Sequence, residues 1–154
     1  MKITIEIPQI KDFNKVNEVA KQVHNLHVNW RPDLYLRVEE VISKENFERM
    51  IQMKEIFVAK KQDKIVGYMT LNMKEKNNPS MRYRKQLQIE AICVDEKNRR
   101  EGIGTKLLEY AKKWGKENNC TDLYLTVNKE NANAIKIYEE FGFQVKSIAY
   151  SMQI

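Results

Sequence analysis

The residues of this chain best suited to chemistry are Arg99, Arg100, Glu101, Gly102, Ile103, Gly104 and Thr105. They stand between residues 86–94, which alternate like a strand, and 103–118, which carry an apolar stripe at helical spacing. A glycine turn feeding a helix N-terminus is suited to bind phosphate. The first helical N–H groups have no intrahelical acceptor, and the helix dipole places partial positive charge beside them. Gly102 and Gly104 carry no Cβ, so a phosphate can approach the backbone. Arg99, Arg100 and Lys106 add full positive charges. The spacing is neither the G-x-G-x-x-G of a dinucleotide fold nor a Walker A loop. On the turn alone, an ordinary strand–helix connection that uses glycine for tight packing stands level with phosphate binding.

The elements around this turn are a mixture of α and β. Residues 2–7 alternate as a first strand. Asp12 is placed to cap a helix whose apolar face is Val16, Val19, Ala20, Val23 and Leu26. Ser43 is placed to cap a short helix carrying Phe47, Met50 and Ile51. Residues 56–60 and 65–73 read as strands joined by a polar turn at 61–63, and Gly67 marks a bulge or a close backbone approach. Residues 74–80 read as a polar loop. In 86–94, Leu87, Ile89, Ala91 and Cys93 are expected on one face, and Gln88, Glu90, Ile92 and Val94 on the other. Ile103, Leu107, Ala111 and Trp114 form the stripe of the next helix. Leu123, Leu125 and Val127 alternate as a strand. Residues 128–131 offer caps for a helix that Gly142 stops, and 144–153 read as a closing strand. The order is β-α-α-β-β-β-α-β-α-β.

The chain has 154 residues, the length of one domain over 1–154, with 42% hydrophobic and 31% charged residues. No apolar run approaches the ~20 residues that span a bilayer, so no membrane role is expected. The start of the chain lacks the apolar core of a signal peptide, and two cysteines make no disulfide framework, so a reducing cytoplasm is the expected setting. The net charge of +6 is spread along the chain. No nucleic-acid recognition module is visible, and nucleic acid is not expected as a partner. His24 and His27 have no third ligand in view, and no metal site is expected.

A second motif lies downstream of the turn. The turn reads [Q/R]-x-x-G-x-[G/A] through Arg99, Gly102 and Gly104, and 131–143 read N-x-x-A-x-x-x-Y-x-x-x-G-F through Asn131, Ala134, Tyr138, Gly142 and Phe143. Together, in this order and on these elements, they resemble the GNAT superfamily of acetyl-CoA-dependent N-acetyltransferases. The motif match covers 86–143, and the element order covers nearly the whole chain. The resemblance implies an α/β (α+β) fold with a mixed, mostly antiparallel central sheet of about six to seven strands, flanked by about four helices. It implies transfer of an acetyl group from acetyl-CoA to a primary amine by direct attack in a ternary complex. The strand before the glycine turn would splay from the next one, and the backbone of Ile92 and Val94 would hold the pantetheine arm. The N–H groups of 100–105 (Arg100, Glu101, Gly102, Ile103, Gly104, Thr105) would hold the pyrophosphate, with Arg99 and Arg100 as charge partners. Asn131 would touch the CoA arm, besides capping a helix. Tyr138 would protonate the leaving thiolate, where a packing role is the plainer alternative.

An alkyl amine with pKa ~10.4 is neutral at pH 7 only about once in a few thousand molecules, so a base that takes its proton raises the rate. Glu90, a carboxylate in an otherwise apolar run, is the candidate, with a water chain as the alternative. Some relatives carry a glutamate where this chain has Thr126. A backbone N–H near Val94 would meet the oxyanion. The acceptor side is expected in the linker 27–35, where His27, Trp30, Arg31, Asp33 and Tyr35 are candidates; a loop merely packed over the sheet is the plainer reading. Cys93, placed on the face away from Glu90, is discounted as an acyl carrier. The resemblance also makes a homodimer an expectation, with the closing strand paired across a two-fold axis. A second function class stands beside catalysis: an acyl-CoA-binding sensor on the same fold with little turnover.

Overall fold

The computed structural model describes residues 2–154. Its strands are β1 (Ile3–Glu6), β2 (Ile56–Lys61), β3 (Lys64–Lys76), β4 (Arg84–Val94) and β5 (Asp122–Tyr124). Its α-helices are α1 (Phe13–Trp30), α2 (Lys44–Gln52), α3 (Ile103–Glu117) and α4 (Ala132–Phe141). The five strands form one sheet in the order β1-β2-β3-β4-β5, antiparallel except for the parallel β4–β5 pair. The mixed sheet matches the expected class, with fewer strands than the six to seven expected.

Alternation along β2 divides the core. Ile56 and Val58 face a cluster with Val16, Val19 and Ala20 of α1 and Phe47 and Met50 of α2. Phe57 and Ala59 face Ile103, Leu107, Leu108 and Ala111 of α3. A strand buried on both faces reads as an unbroken apolar run, which is what 56–59 are. The Ser43 Oγ accepts from the Asn46 N–H and starts α2 as expected. Asp12 does not cap α1 with its side chain; it accepts from the Gln9 N–H at 2.9 Å and closes a short 3-10 turn instead.

Four further boundaries differ from the sequence reading. Helix α1 runs on through Trp30, so His27 to Trp30 belong to a helix and the linker begins at Arg31. Nothing before Pro32 stops the helix. Strand β3 continues to Lys76, because β4 starts early enough to pair with it. Strand β5 is only Asp122–Tyr124, since β4 leaves it beyond that point. Residues 144–154 form no strand, because no neighbouring strand lies beside them.

Gly67 shows both features expected of it. Ala59 pairs with Gly67 and Lys60 with Ile65, which leaves Val66 as a bulge. A Cβ on Gly67 would lie 2.8 Å from the Cys93 carbonyl oxygen, so β3 and β4 approach here as no larger residue allows. Asn17, buried in α1, fixes the connection between α1 and α2. Its Oδ1 accepts from the N–H groups of Val41 and Ile42, and its Nδ2 donates to the Ile42 carbonyl at 3.0 Å.

Candidate functional site

The site is built where β4 and β5 part. They pair at Gln86–Asp122, Leu87–Leu123 and Gln88–Tyr124 and no further. The N–H of Asp95 donates to Val66 on the β3 side. Backbone groups alternate along a strand, so the N–H and C=O groups of Val94 and Ile92 face the opposite edge, where the gap opens. The two residues expected to present backbone to a ligand therefore do line the gap.

Glu90 sits at a break in the ladder. Thr70 pairs with Ala91 and Leu71 with Ile89, so Glu90 is the extra residue of a β-bulge. Its side chain is exposed, and among the described residues it has no ion-pair partner. The bulge overturns the expected faces of β4. Leu87 and Ile89 before it, and Ile92 and Val94 after it, all pack toward α3. Ala91 and Cys93 turn to the α1–α2 side. Cys93 thus does not share a face with Leu87 and Ile89. Burial raises its thiol to about 11, beside the buried Tyr68, so it remains a protonated, enclosed thiol.

The glycine turn adopts a conformation with two left-handed residues, Arg100 at φ 66° and Gly102 at φ 77°. Lys106 is the first residue of α3 whose N–H reaches back in the helix, to Gly102 at 3.1 Å. The N–H groups of Ile103, Gly104 and Thr105 are left without helical acceptors. The space where a Cβ of Gly102 would stand holds nothing within 4 Å. Glu101 points away from this cradle: it binds Lys61 of the β2–β3 hairpin, and that ammonium holds its carboxyl below the ordinary value. The Arg99 Nε donates to the Val94 carbonyl at 3.4 Å, which ties the turn to the end of β4. Arg99 and Arg100 are both exposed.

Helix α4 brings the second motif to the same region. The Asn131 Oδ1 accepts from the Ala134 N–H at 3.2 Å and caps α4. Its amide nitrogen makes no hydrogen bond among the described residues and is available to a ligand. Tyr138 is half-buried, with its ring 5.8 Å from that of Phe143. Burial, reinforced by the neighbouring Cys93, pushes its hydroxyl up to about 12. At neutral pH it is a proton donor. The hydroxyl makes no hydrogen bond among the described residues, yet it is not sealed from solvent.

The residues expected on the acceptor side form two groups. His27 stands 5.4 Å from Trp30 and 5.5 Å from Tyr35, ring to ring. Burial lowers the His27 imidazole below its ordinary value, which favours its uncharged form. Arg31 and Asp33 form a two-pronged pair at 2.9 and 2.7 Å. None of these five hydrogen-bonds to Glu90 or Tyr138 among the described residues.

Asp95, at the end of β4, is a buried carboxylate that the sequence did not single out. Burial alone would raise it. The Lys97 N–H, the Lys15 ammonium at 3.1 Å and Gln22 outweigh that and hold it below the ordinary carboxylate range. It fastens the tip of β4 to α1. No sequence signal marked it as a tie between elements, because its partners on α1 lie more than seventy positions away.

Known proteins resemble this chain in sequence and in fold. A model described as the acetyltransferase (GNAT) family matches residues 20–143. An N-alpha-acetyltransferase of Sulfurisphaera tokodaii is 35% identical over 94 residues, 57% of this chain and 55% of that protein. The chain thus spans about half the length of that relative, and other curated relatives are matched over only 21% and 20% of theirs. A solved mutant of the BH1408 protein from Bacillus halodurans is 25% identical and superposes with a TM-score of 0.93, over 98% of this chain and 99% of its own. The aminoglycoside N-acetyltransferase AAC(6')-Iy, solved in complex with CoA, shares the fold with a TM-score of 0.68 at 14% identity, over 99% of this chain and 95% of its own.

Proposed function

This chain belongs to the acetyltransferase (GNAT) family, and we propose that it transfers an acetyl group from acetyl-CoA to a primary amine. The observation that carries this reading is the opening of β4 from β5 directly beside the uncapped start of α3. A long ligand with an anionic end and an amide-bearing arm fits that pair. The free N–H groups of 103–105, with Arg99 and Arg100, would take the pyrophosphate. The exposed backbone edge at Ile92 and Val94 would take the arm.

Acetyl-CoA supplies an activated acetyl thioester. The chain's own residues supply proton handling and position. Glu90 removes the proton from the incoming ammonium, directly or through a water. The Val94 N–H stands on the gap side, where it stabilises charge developing on the acetyl oxygen. The Tyr138 hydroxyl donates its proton to the departing sulfur. The aromatic cluster of His27, Trp30 and Tyr35 forms the acceptor side. The α-amine of a peptide is one acceptor class to try first, since it is the class named for the Sulfurisphaera tokodaii relative.

A thermal melt with acetyl-CoA tests the binding half of this reading. At about 100-fold over Kd, one bound ligand stabilises by about 2.7 kcal/mol. For a domain of this size that raises Tm by roughly 5–11 °C. No shift at millimolar acetyl-CoA would overturn the proposal. A shift with no turnover on a panel of amines would favour an acyl-CoA sensor on this fold.

Tyr138→Phe tests the proton donor. Its hydroxyl has no protein partner, so Tm and the acetyl-CoA shift are expected to stay near wild type. A thiol of pKa ~8.5 leaves readily, which puts the loss of kcat near the low end of general-acid effects, about 10²-fold. Unchanged kcat would leave Tyr138 as a packing residue.

A further inference from the structure

Strands β3 and β4 run on past β2 as a two-stranded ribbon. β2 pairs with β3 no further than Thr70, yet β3 and β4 stay paired from Asn72–Gln88 out to Lys76–Arg84. Residues 72–85 hold five of the chain's 27 basic residues, Lys74, Lys76, Arg82, Arg84 and Lys85, and one of its 21 acidic ones, Glu75. This is a local excess in a chain whose charge is otherwise spread along its length.

The pairing sorts these side chains by face, because residues opposite each other on two strands point the same way. Glu75 and Lys85 share the face of Met73 and Leu87. Leu87 packs toward α3, and the Lys85 Nζ donates to the Asn118 carbonyl at 2.8 Å, at the end of that helix. Asn72, Lys74 and Lys76, with Gln88, Gln86 and Arg84 opposite them, therefore lie on the α1–α2 face. The apolar cluster under those helices reaches Tyr68 on β3 and Ala91 on β4 and stops there, which leaves this stretch an open polar shelf. Asp122 stands 3.2 Å from Arg84 and offsets its charge. Lys74 and Lys76, and Arg82 in the turn just beyond, are exposed and have no ion-pair partner among the described residues.

The shelf leads to Glu90. A strand rises about 3.3 Å per residue, so Lys74, opposite Gln86, lies about 13 Å from Glu90 along β4, and Lys76, opposite Arg84, about 20 Å. An exposed carboxylate thus stands at one end and unpaired cations at the other. An extended chain with an ammonium at its start and carboxylates about four to six residues on has that same order of charge, reversed in sign. A nucleic-acid backbone does not. Lying on the same cations, it would carry its phosphates toward the Glu90 carboxylate, and like charges repel.

We infer that this ribbon selects the acceptor. It fits a polypeptide whose α-amine lies at Glu90 and whose fifth to seventh residues are acidic, seated on Lys74, Lys76 and Arg82. The inference rests on the proposed reaction for the place of the amine. The contacts are exposed, so each cation adds little, and the gain is felt chiefly at low ionic strength.

Fluorescence anisotropy on the full chain tests it with two decapeptides, each free at its α-amine and labelled at its other end. One carries glutamates at its fifth to seventh positions, and the other glutamines. The glutamate peptide is expected to bind about tenfold more tightly at low salt, roughly a factor of two per cation. That gain should fade by about 0.5 M salt. It should also vanish in the triple variant Lys74→Gln, Lys76→Gln, Arg82→Gln, whose changes are confined to exposed, unpaired side chains. Equal affinity for the two peptides, or binding of neither, overturns the inference. So does a gain that survives the triple substitution, since the acidic residues then lie elsewhere. A ten-nucleotide single-stranded DNA that binds the wild type more tightly than the glutamate peptide, and not the triple variant, overturns it in favour of a nucleic-acid surface. Turnover of the same peptides separates this inference from the reaction it rests on. A binding gain without acetylation of either peptide keeps the ribbon as an acidic-peptide surface and counts against the reaction. Acetylation of both at equal kcat/KM, with equal affinity, keeps the reaction and removes the ribbon from acceptor choice.

Discussion

Glu90→Gln is expected to lower turnover of a primary amine by about 10²–10⁴-fold at pH 7, with the acetyl-CoA melting shift unchanged. Glutamine keeps the shape of the side chain and loses only the ability to take up a proton. The bulge makes this substitution safe for the fold, because Glu90 is outside the β3–β4 ladder, exposed and without an ion-pair partner among the described residues. The size of the loss follows from the acceptor: these values hold for an alkyl amine, and a peptide α-amine of pKa ~8 would show a smaller loss and an earlier convergence of the two profiles. Near pH 7 about one alkyl amine in a few thousand is neutral, and each pH unit raises that fraction about tenfold until the amine pKa. The variant, unable to deprotonate its acceptor, should show a rate that climbs with pH along that line. The wild type should depart from it at low pH and converge with the variant near pH 10. Parallel pH profiles would remove Glu90 from proton transfer, and full activity in the variant would assign the task to a water chain.

What could be read from the sequence depended on whether a signal was local. The helix stripes of α1 and α3, the Ser43 cap and the turn at 61–63 are all set by neighbours within a few residues, and all are found where expected. So is the uncapped start of α3 at Gly102. The bulge at Glu90 was missed because simple alternation assumes an unbroken ladder. A trace of it was present: Leu87, Ile89, Ile92 and Val94 share a face at spacings of two, three and two. That is the spacing a one-residue insertion produces. The short contact between β4 and β5 left no trace in the alternation of either strand, since strand separation depends on a partner more than thirty residues away; the splay was expected from the motif resemblance alone. The closing strand expected at 144–153 shows the converse, since no strand forms there. Its pattern is clear at 148–154, but a pattern gives a buried face without saying which edge covers it.

Gly102 gives the sharpest test of the turn, because two effects of its replacement can be separated. At φ 77° a valine is held in the left-handed region, which costs about 1–2 kcal/mol. Gly102→Val is therefore expected to lower the ligand-free Tm by roughly 2–8 °C. Asparagine tolerates that conformation, so Gly102→Asn should melt close to wild type. Neither side chain meets protein, since nothing lies within 4 Å of the Cβ position. Each instead stands beside the free N–H groups of 103–105, where the pyrophosphate is proposed to bind. Both variants should then lose at least about tenfold in acetyl-CoA affinity, or 1.4 kcal/mol of binding free energy. The asparagine variant decides the question, because its fold is unstrained and only the cradle is changed. If it keeps the full acetyl-CoA shift, the phosphates do not lie on this turn, and Gly102 serves only the bend between β4 and α3. If it loses the shift while its ligand-free melt is unchanged, the empty space over Gly102 is there for the ligand. Gly67, within β3, marks the contrast, since a Cβ there meets the Cys93 carbonyl at 2.8 Å. That glycine is required by packing, whereas no protein atom crowds Gly102 and its left-handed φ is the demand the described residues place on it.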